Sequence, residues 1–216
     1  MKTPSTRPPI RGPQLRATLA FRRKAVNERS AVRYAWRTVL SRLLSRLRRS
    51  SDLSPGSELY FALVRQARRP AFFREWNVPD TVDGRFDMVV LHAALVFRRL
   101  RALGPEAQSL SDATFAAMTG DLDRSVRELG GGDLGVGRRM KAIGQAFYGR
   151  VHAYDAALAG TQALEEVLRR NVYRDAAVSE EAVARLAAYV RNAVLRLDQR
   201  TLSDLAAAKP DFPLVE

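Results

Sequence analysis

The chain has 216 residues, with 36 Lys+Arg against 23 Asp+Glu, 2 His and no Cys. That length suits one ordinary domain with a proper core, and an apolar content of 46% sets it apart from wholly disordered chains. The missing cysteine excludes a disulfide scaffold, a thiolate zinc site, an iron–sulfur cluster and a cysteine nucleophile.

The charge is unevenly placed. Residues 1–50 hold 14 basic residues against the single acid Glu28, which is the whole net charge of +13, while the rest of the chain holds 22 of each sign. A neutral domain therefore carries a basic arm. Residues 1–29 read as a disordered leader, because Pro4, Pro8, Pro9, Gly12 and Pro13 break its first half and no core-facing pattern appears. Over residues 30–50, Val32, Trp36, Val39, Leu40, Leu43, Leu44 and Leu47 return every three or four residues. Arg33 and Arg46 flank this stripe, and Arg37, Arg42, Arg48 and Arg49 lie elsewhere on the wheel. This spacing predicts a basic amphipathic helix. Arg33, Trp36, Arg37, Arg42, Leu43, Arg46, Leu47, Arg48 and Arg49 are its candidate contacts to an anionic membrane surface or to ribosomal RNA. The apolar face favours the membrane. The alternatives are packing on the domain, or a translation start downstream of the leader.

The domain proper is expected over 51–216. Ser54-Pro55-Gly56-Ser57 opens a helix through Leu59, Tyr60, Leu63, Val64 and Ala67, with Ser54 or Ser57 as N-cap. Pro70 interrupts it, a short turn of helix follows over Ala71 to Trp76, and Asn77 to Gly84 reads as a loop. A strong helical period runs from Phe86 to Leu103 and stops at Gly104-Pro105. Further helices are expected from about Ser111 to Leu129, from Asp133 to Ala159 and from Thr161 to Val172. A last one is capped by Ser179 and runs through about Ala207. No segment alternates like a strand, so the fold class is all-α: a single bundle of about six to seven helices behind the N-terminal basic helix. Val183, Leu186, Val190, Ala193 and Leu197 resemble a short coiled-coil seam, too brief to stand alone, and predict packing within the bundle. The longest apolar stretch without charge, Met88 to Phe97, is about half the roughly 20 residues that a spanning helix requires.

Chemistry-bearing motifs are few. Gly130-x-Gly132-x-x-Gly135 matches a dinucleotide fingerprint in letters only, since that motif follows a strand and Asp121 to Leu129 is helical in pattern. Asp121 and Asp123 point about 200° apart on a helix and cannot converge on one ion; Asp123 with Arg127 and Arg124 with Glu128 are expected as i,i+4 pairs. His92 and His152 stand alone, without a metal-binding or triad pattern, and read as structural. Phe72, Phe73 and Trp76 form the densest aromatic group, read as core, with an apolar groove as the alternative. With no catalytic set and no nucleotide loop, a binding protein is favoured over an enzyme, and no cofactor, metal or small-molecule substrate is expected.

Several blocks together resemble the ubiquinol-cytochrome c chaperone family. The first is Tyr60-Phe61-x4-Gln66-Ala67-Arg68-x-Pro70-x-Phe72-Phe73. Val78-Pro79-Asp80-Thr81-x2-Gly84-Arg85-Phe86-Asp87 follows, with Leu91-His92. Next come Asp121-Leu122-Asp123-x3-Arg127-Glu128-x-Gly130 and Gly132-Asp133-Leu134-x-Val136-Gly137-x2-Met140-Lys141, and the last is Phe147-Tyr148-Gly149-Arg150-x3-Tyr154. The resemblance spans roughly 58–160 and departs from the pattern at Gly131, where a small apolar residue is expected; the arm and the last helix lie outside it.

The resemblance implies a helical, ATP-independent chaperone that holds newly made cytochrome b during assembly of the cytochrome bc complex. It also implies the ribosome as a partner and, in mitochondrial relatives, a small partner protein. Carried over residue by residue, the candidate client- and partner-binding positions are Arg68, Pro70, Phe72, Phe73, Asp80, Arg85, Phe86 and Asp87. To these it adds Arg127, Glu128, Gly132, Asp133, Lys141, Phe147, Tyr148 and Arg150. The expected location is the cytoplasm, peripheral on the inner membrane, with a mitochondrial protein as the alternative. The competing function is a membrane-surface or ribosome/RNA-binding adaptor recruited by the arm.

Overall fold

The computed structural model describes residues 54–128, 133–174 and 176–215. The leader at 1–29, the amphipathic helix at 30–50 and the glycine junction at 130–132 lie outside the described residues.

Helix α1 spans Pro55–Ala67. The Ser54 hydroxyl accepts from the Ser57 amide at 3.3 Å, and Pro55 occupies the first turn, where its missing N–H is not needed. The short α2, Pro70–Arg74, leads through buried Trp76 and Val78 to α3, Val82–Leu103. From Phe86 to Val96 every residue of α3 is buried, so it is the central helix, with α1, α4, α5 and α7 around it. Gly104, at φ 88°, ends α3 in a conformation that costs a residue with Cβ more than glycine. A 3₁₀ turn, Pro105–Ala107, runs into α4, Gln108–Glu128.

Helix α5, Asp133–Leu158, returns along α4 and α3. Helix α6, Leu164–Leu168, continues as a π-helical turn, Arg169–Tyr173. Ser179 then caps α7, Glu180–Asp198, by accepting from the Ala182 amide. The final helix α8, Leu202–Ala206, leads to a C-terminal stretch held by the Gln66 amide, which donates to the Pro213 carbonyl at 3.0 Å.

The bundle is all-α, with no strand among the described residues. Several boundaries differ from the sequence reading, among them the start of α6 at Leu164 in place of Thr161, and three of the differences have a local cause. The Thr81 hydroxyl accepts from the Gly84 amide at 3.1 Å, so α3 begins at Val82 inside the expected loop. The 3₁₀ turn carries the chain directly into α4 at Gln108, ahead of Ser111. The last helix does not reach Ala207 unbroken: it stops at Asp198, and Thr201 with Asp204 forms a capping box that starts α8, satisfying two amides that would otherwise lack partners. The seam residues Val183, Leu186, Val190, Ala193 and Leu197 are all buried, which is bundle packing.

Candidate functional site

The stretch preceding Gly130 is the helix α4, which removes the dinucleotide reading. Asp121 and Asp123 diverge as expected. Asp121 is buried and accepts from the Tyr60 hydroxyl at 3.0 Å, while Asp123 accepts from Arg127 Nε at 2.7 Å. Arg124 does not pair with Glu128, contrary to the i,i+4 expectation; Glu128 has another engagement. Burial and the Asp121 carboxylate together push the Tyr60 phenol well above its usual range.

His92 is structural. It is fully buried, with Nδ1 at 2.8 Å from the Met88 carbonyl and Nε2 at 2.8 Å from the Tyr189 hydroxyl. A carbonyl only accepts, so Nδ1 carries the proton and Nε2 accepts from Tyr189. The Tyr189 oxygen in turn accepts from Gln66 Nε2 at 3.1 Å. Every polar atom in this chain is satisfied with a neutral imidazole, and burial holds the His92 pKa down at about 4. Among the described residues no three His, Asp or Glu side chains gather where they could hold a metal ion.

The strongest electrostatic feature is Asp87. Its carboxylate, 0% exposed, accepts from Arg174 Nε at 2.7 Å and Nη2 at 3.0 Å. Arg150 Nη2 lies 3.0 Å from the same carboxylate, and Arg174 also reaches Asp83 at 3.2 Å. Desolvation pushes the Asp87 pKa up to about 6, against the pull of the two guanidinium groups. The group is ionised at neutral pH. Nearby Tyr154, 1% exposed, has a hydroxyl without a hydrogen-bond partner among the described residues, and burial with the Asp87 charge drives its phenol far up.

The other candidate residues are spread over the molecule. Phe72 is in the core, edge-on to Trp76, His92 and Tyr189. Phe86 and Phe147 are also buried. Phe73 is half-buried beneath the Arg85 guanidinium, 5.1 Å above its ring, and Arg85 pairs with Asp80. Arg68 is partly buried, with Nε and Nη1 lacking hydrogen-bond partners, and burial lowers its pKa. Pro70, Asp80, Arg127, Glu128, Lys141 and Tyr148 face solvent. Gly132 lies outside the described residues; Asp133 opens α5.

Where α4 and α5 run side by side, one aromatic cluster reaches the surface. Phe97, Phe115 and Phe147 meet pairwise at centroid distances of 6.1 to 6.3 Å, and Tyr148 extends the cluster outward at 5.6 Å from Phe147 and 6.4 Å from Phe115. Tyr148 is 62% exposed. The same two helices also carry Gly120 on α4 and Gly137, Gly144 and Gly149 on α5, and a Cβ added at any of them would meet nothing within 4 Å. No packing inside the domain requires glycine there, although each lowers helix stability by roughly 0.5–1 kcal/mol relative to alanine. The cluster is separate from the group around Phe72, since no ring contact joins them among the described residues.

Sequence reasoning found Asp87 and Arg150 but not Arg174 or Tyr189, which lie beyond the quoted blocks. For Asp87 the signal was present: a carboxylate between Phe86 and Met88 in an unbroken apolar face has to be paired to be buried.

A family model described as ubiquinol-cytochrome C chaperone matches residues 74–212, a range that begins after the first quoted block, Tyr60 to Phe73, and extends past the last one through α7 and α8. The chain is also similar to a protein solved as the crystal structure of the Cbp3 homolog from Brucella abortus. The two share 36% identity, with 74% of this chain and 90% of that one covered and a TM-score of 0.66. Among curated proteins there is no match.

Proposed function

This chain belongs to the ubiquinol-cytochrome c chaperone family, and from that premise we propose that its client is newly made cytochrome b, held without ATP until the cytochrome bc complex assembles. The assembly-factor role follows from the family; the client and its docking place are the proposal. The observation that carries it is the aromatic cluster that reaches the surface at Tyr148 in the crease between α4 and α5. A holder of apolar segments needs an exposed apolar surface, and Tyr148, backed by Phe115 and Phe147, supplies one. Glycines with open space beside them let a client helix come within close backbone distance. Lys141, Arg127 and Glu128 stand on the same two helices as polar surroundings. In this reading Phe72, Phe86 and Asp87 shape the domain from inside, and Pro70, Asp80 and the Arg85–Phe73 pair form a second, smaller surface. Residues 1–50 serve to bring the domain to the inner membrane.

The test is a pulldown of the tagged full chain from cells making cytochrome b, repeated in a strain lacking it. Recovery of cytochrome b from the first, and loss of its co-recovered subunits from the second, is expected. An unchanged partner set in the second strain removes the client assignment. Flotation with liposomes across a salt series, with and without residues 1–50, tests the arm.

A further inference from the structure

Beyond residues 1–50 the chain is charge-balanced, yet α5 is not. From Leu134 to Tyr154 there is no Asp or Glu, and the stretch carries Arg138, Arg139, Lys141 and Arg150. Arg150 is turned inward and pairs with Asp87. The other three, with Arg124 opposite them on α4, pair with no carboxylate among the described residues.

Arg138 and Lys141 are exposed, as are Gly137, Gln145 and Tyr148, and Gly144 is half-exposed. On a 3.6-residue period, residues seven apart share a stripe, which aligns Lys141 with Tyr148, Arg138 with Gln145, and Gly137 with Gly144. The outer face of α5 is therefore one exposed strip about 15 Å long, basic at its first end and aromatic at the other, with no side chain at the glycines.

We infer that this face of α5 docks the folded domain on an anionic lipid bilayer, independently of the basic arm. Unpaired cations on an exposed helix face are attracted to anionic headgroups. A tyrosine exposed beside them has the amphipathic ring that rests at the headgroup level. The glycines let the helix lie close to the headgroup plane. An RNA partner would use the cations equally but gains less from a strip that offers only one aromatic ring for base stacking. This surface shares Tyr148, Lys141 and the α5 glycines with the proposed client crease, but its attraction to anionic lipid does not depend on the client assignment. It sets the α4–α5 crease at the edge of the bilayer, where an unassembled membrane helix emerges.

The absence of native cysteine makes the test direct. In the full chain, Gln145→Cys carries a polarity-sensitive fluorophore, and Ser203→Cys on α8, which packs on α1, carries it in a control. Each is mixed with vesicles of brominated phosphatidylcholine, alone or with phosphatidylglycerol. The label at 145 is expected to shift to the blue and be quenched with phosphatidylglycerol present, and the label at 203 is not. Adding Arg138→Glu should weaken the response at 145 by about fivefold or more, with an unchanged circular dichroism spectrum and with cytochrome b capture in detergent retained. Vesicle flotation with a silent label at 145 overturns the inference, because the arm alone is then the attachment. A response at 145 equal in phosphatidylcholine alone, or one elicited by ribosomal RNA in preference to vesicles, also overturns it. Failure to capture cytochrome b with the vesicle response intact counts against the client reading only.

Discussion

Arg174 pairs with Asp87 at two points, Nε to Oδ2 at 2.7 Å and Nη2 to Oδ1 at 3.0 Å, across 87 positions of sequence. The arginine follows the π-turn at φ 55°, in the left-handed region where a residue with Cβ is disfavoured. Its side chain thereby ties the α6 segment to the central helix, and Arg150 adds α5 to the same carboxylate. One buried anion thus joins three elements. Because α5 also carries the surface crease, the pairing sets the base on which Phe147 and Tyr148 stand.

Removing Asp87 leaves two guanidinium groups facing a buried gap. Asp87→Ala is expected to destabilise by about 3–5 kcal/mol, as for other buried pairs broken from one side. Arg174→Ala should cost less, about 1–2 kcal/mol, because Arg150 still neutralises Asp87 and the Arg174 side chain is 36% exposed and partly screened by solvent. Urea unfolding of the two variants checks the order, and equal losses would contradict it.

The helices were legible from the sequence because apolar period and caps agree at most positions. Phe86 to Leu103 is one unbroken period, and Ser54 and Ser179 are good N-caps. The boundaries that moved were set by competition between adjacent signals: Thr201 is as good a cap as Ser179, and nothing in the apolar pattern of 183–206 marks where one helix yields to the next. The site was half legible. Tyr148 and Lys141 came from the family blocks, whereas the partners that bury Asp87 and His92 are set by tertiary packing. Arg174 sits in a left-handed turn that no local pattern announces, and Tyr189 is 97 positions from His92.

Two buried groups titrate with opposite effect on stability. His92 is held down at about 4 against an ordinary value near 6.5, so the unfolded chain takes up its proton first. Stability from His92 is present above about pH 6.5 and is lost as pH falls toward 4. Asp87 is pushed up to about 6 from an ordinary 3.8, so its contribution is fully present below about pH 3.8 and is lost as pH rises through 6. The two nearly offset between pH 4 and 6. Unfolding free energies from pH 4 to 7.5 should show the wild type gaining on His92→Gln with rising pH and falling relative to Asp87→Asn, each by at most about 1.4 kcal/mol per pH unit. Two differences with the same slope would refute the assignment.

Glycines on the two sides of the domain should respond oppositely to alanine. At Gly84 a Cβ would lie 2.1 Å from the Pro79 carbonyl oxygen, and at Gly56 it would lie 2.5 Å from the Ala113 Cβ and 2.6 Å from backbone. Neither neighbour is the end of a flexible side chain, so Gly84→Ala and Gly56→Ala are expected to cost about 1–3 kcal/mol. Gly137→Ala and Gly144→Ala meet open space and should raise stability by about 0.5–1 kcal/mol through helix propensity. Thermal melts of the four variants read this directly.

The same contrast separates folding from function at the crease. Tyr148 is 62% exposed and meets the rings of Phe115 and Phe147, so Tyr148→Ser should change stability by no more than about 0.5–1 kcal/mol. If a client helix lies in the crease, that change removes the largest exposed apolar group it touches. Gly144→Ala inserts a methyl group where the client backbone approaches, so it should produce a more stable protein that captures less cytochrome b. Pulldown yields from cells expressing each variant at equal level, set beside their melting temperatures, decide the matter. Wild-type capture by both Tyr148→Ser and Gly144→Ala would move the client off the α4–α5 crease, and the next surface to test by the same pairing of yield and stability would be the Arg85–Phe73 face.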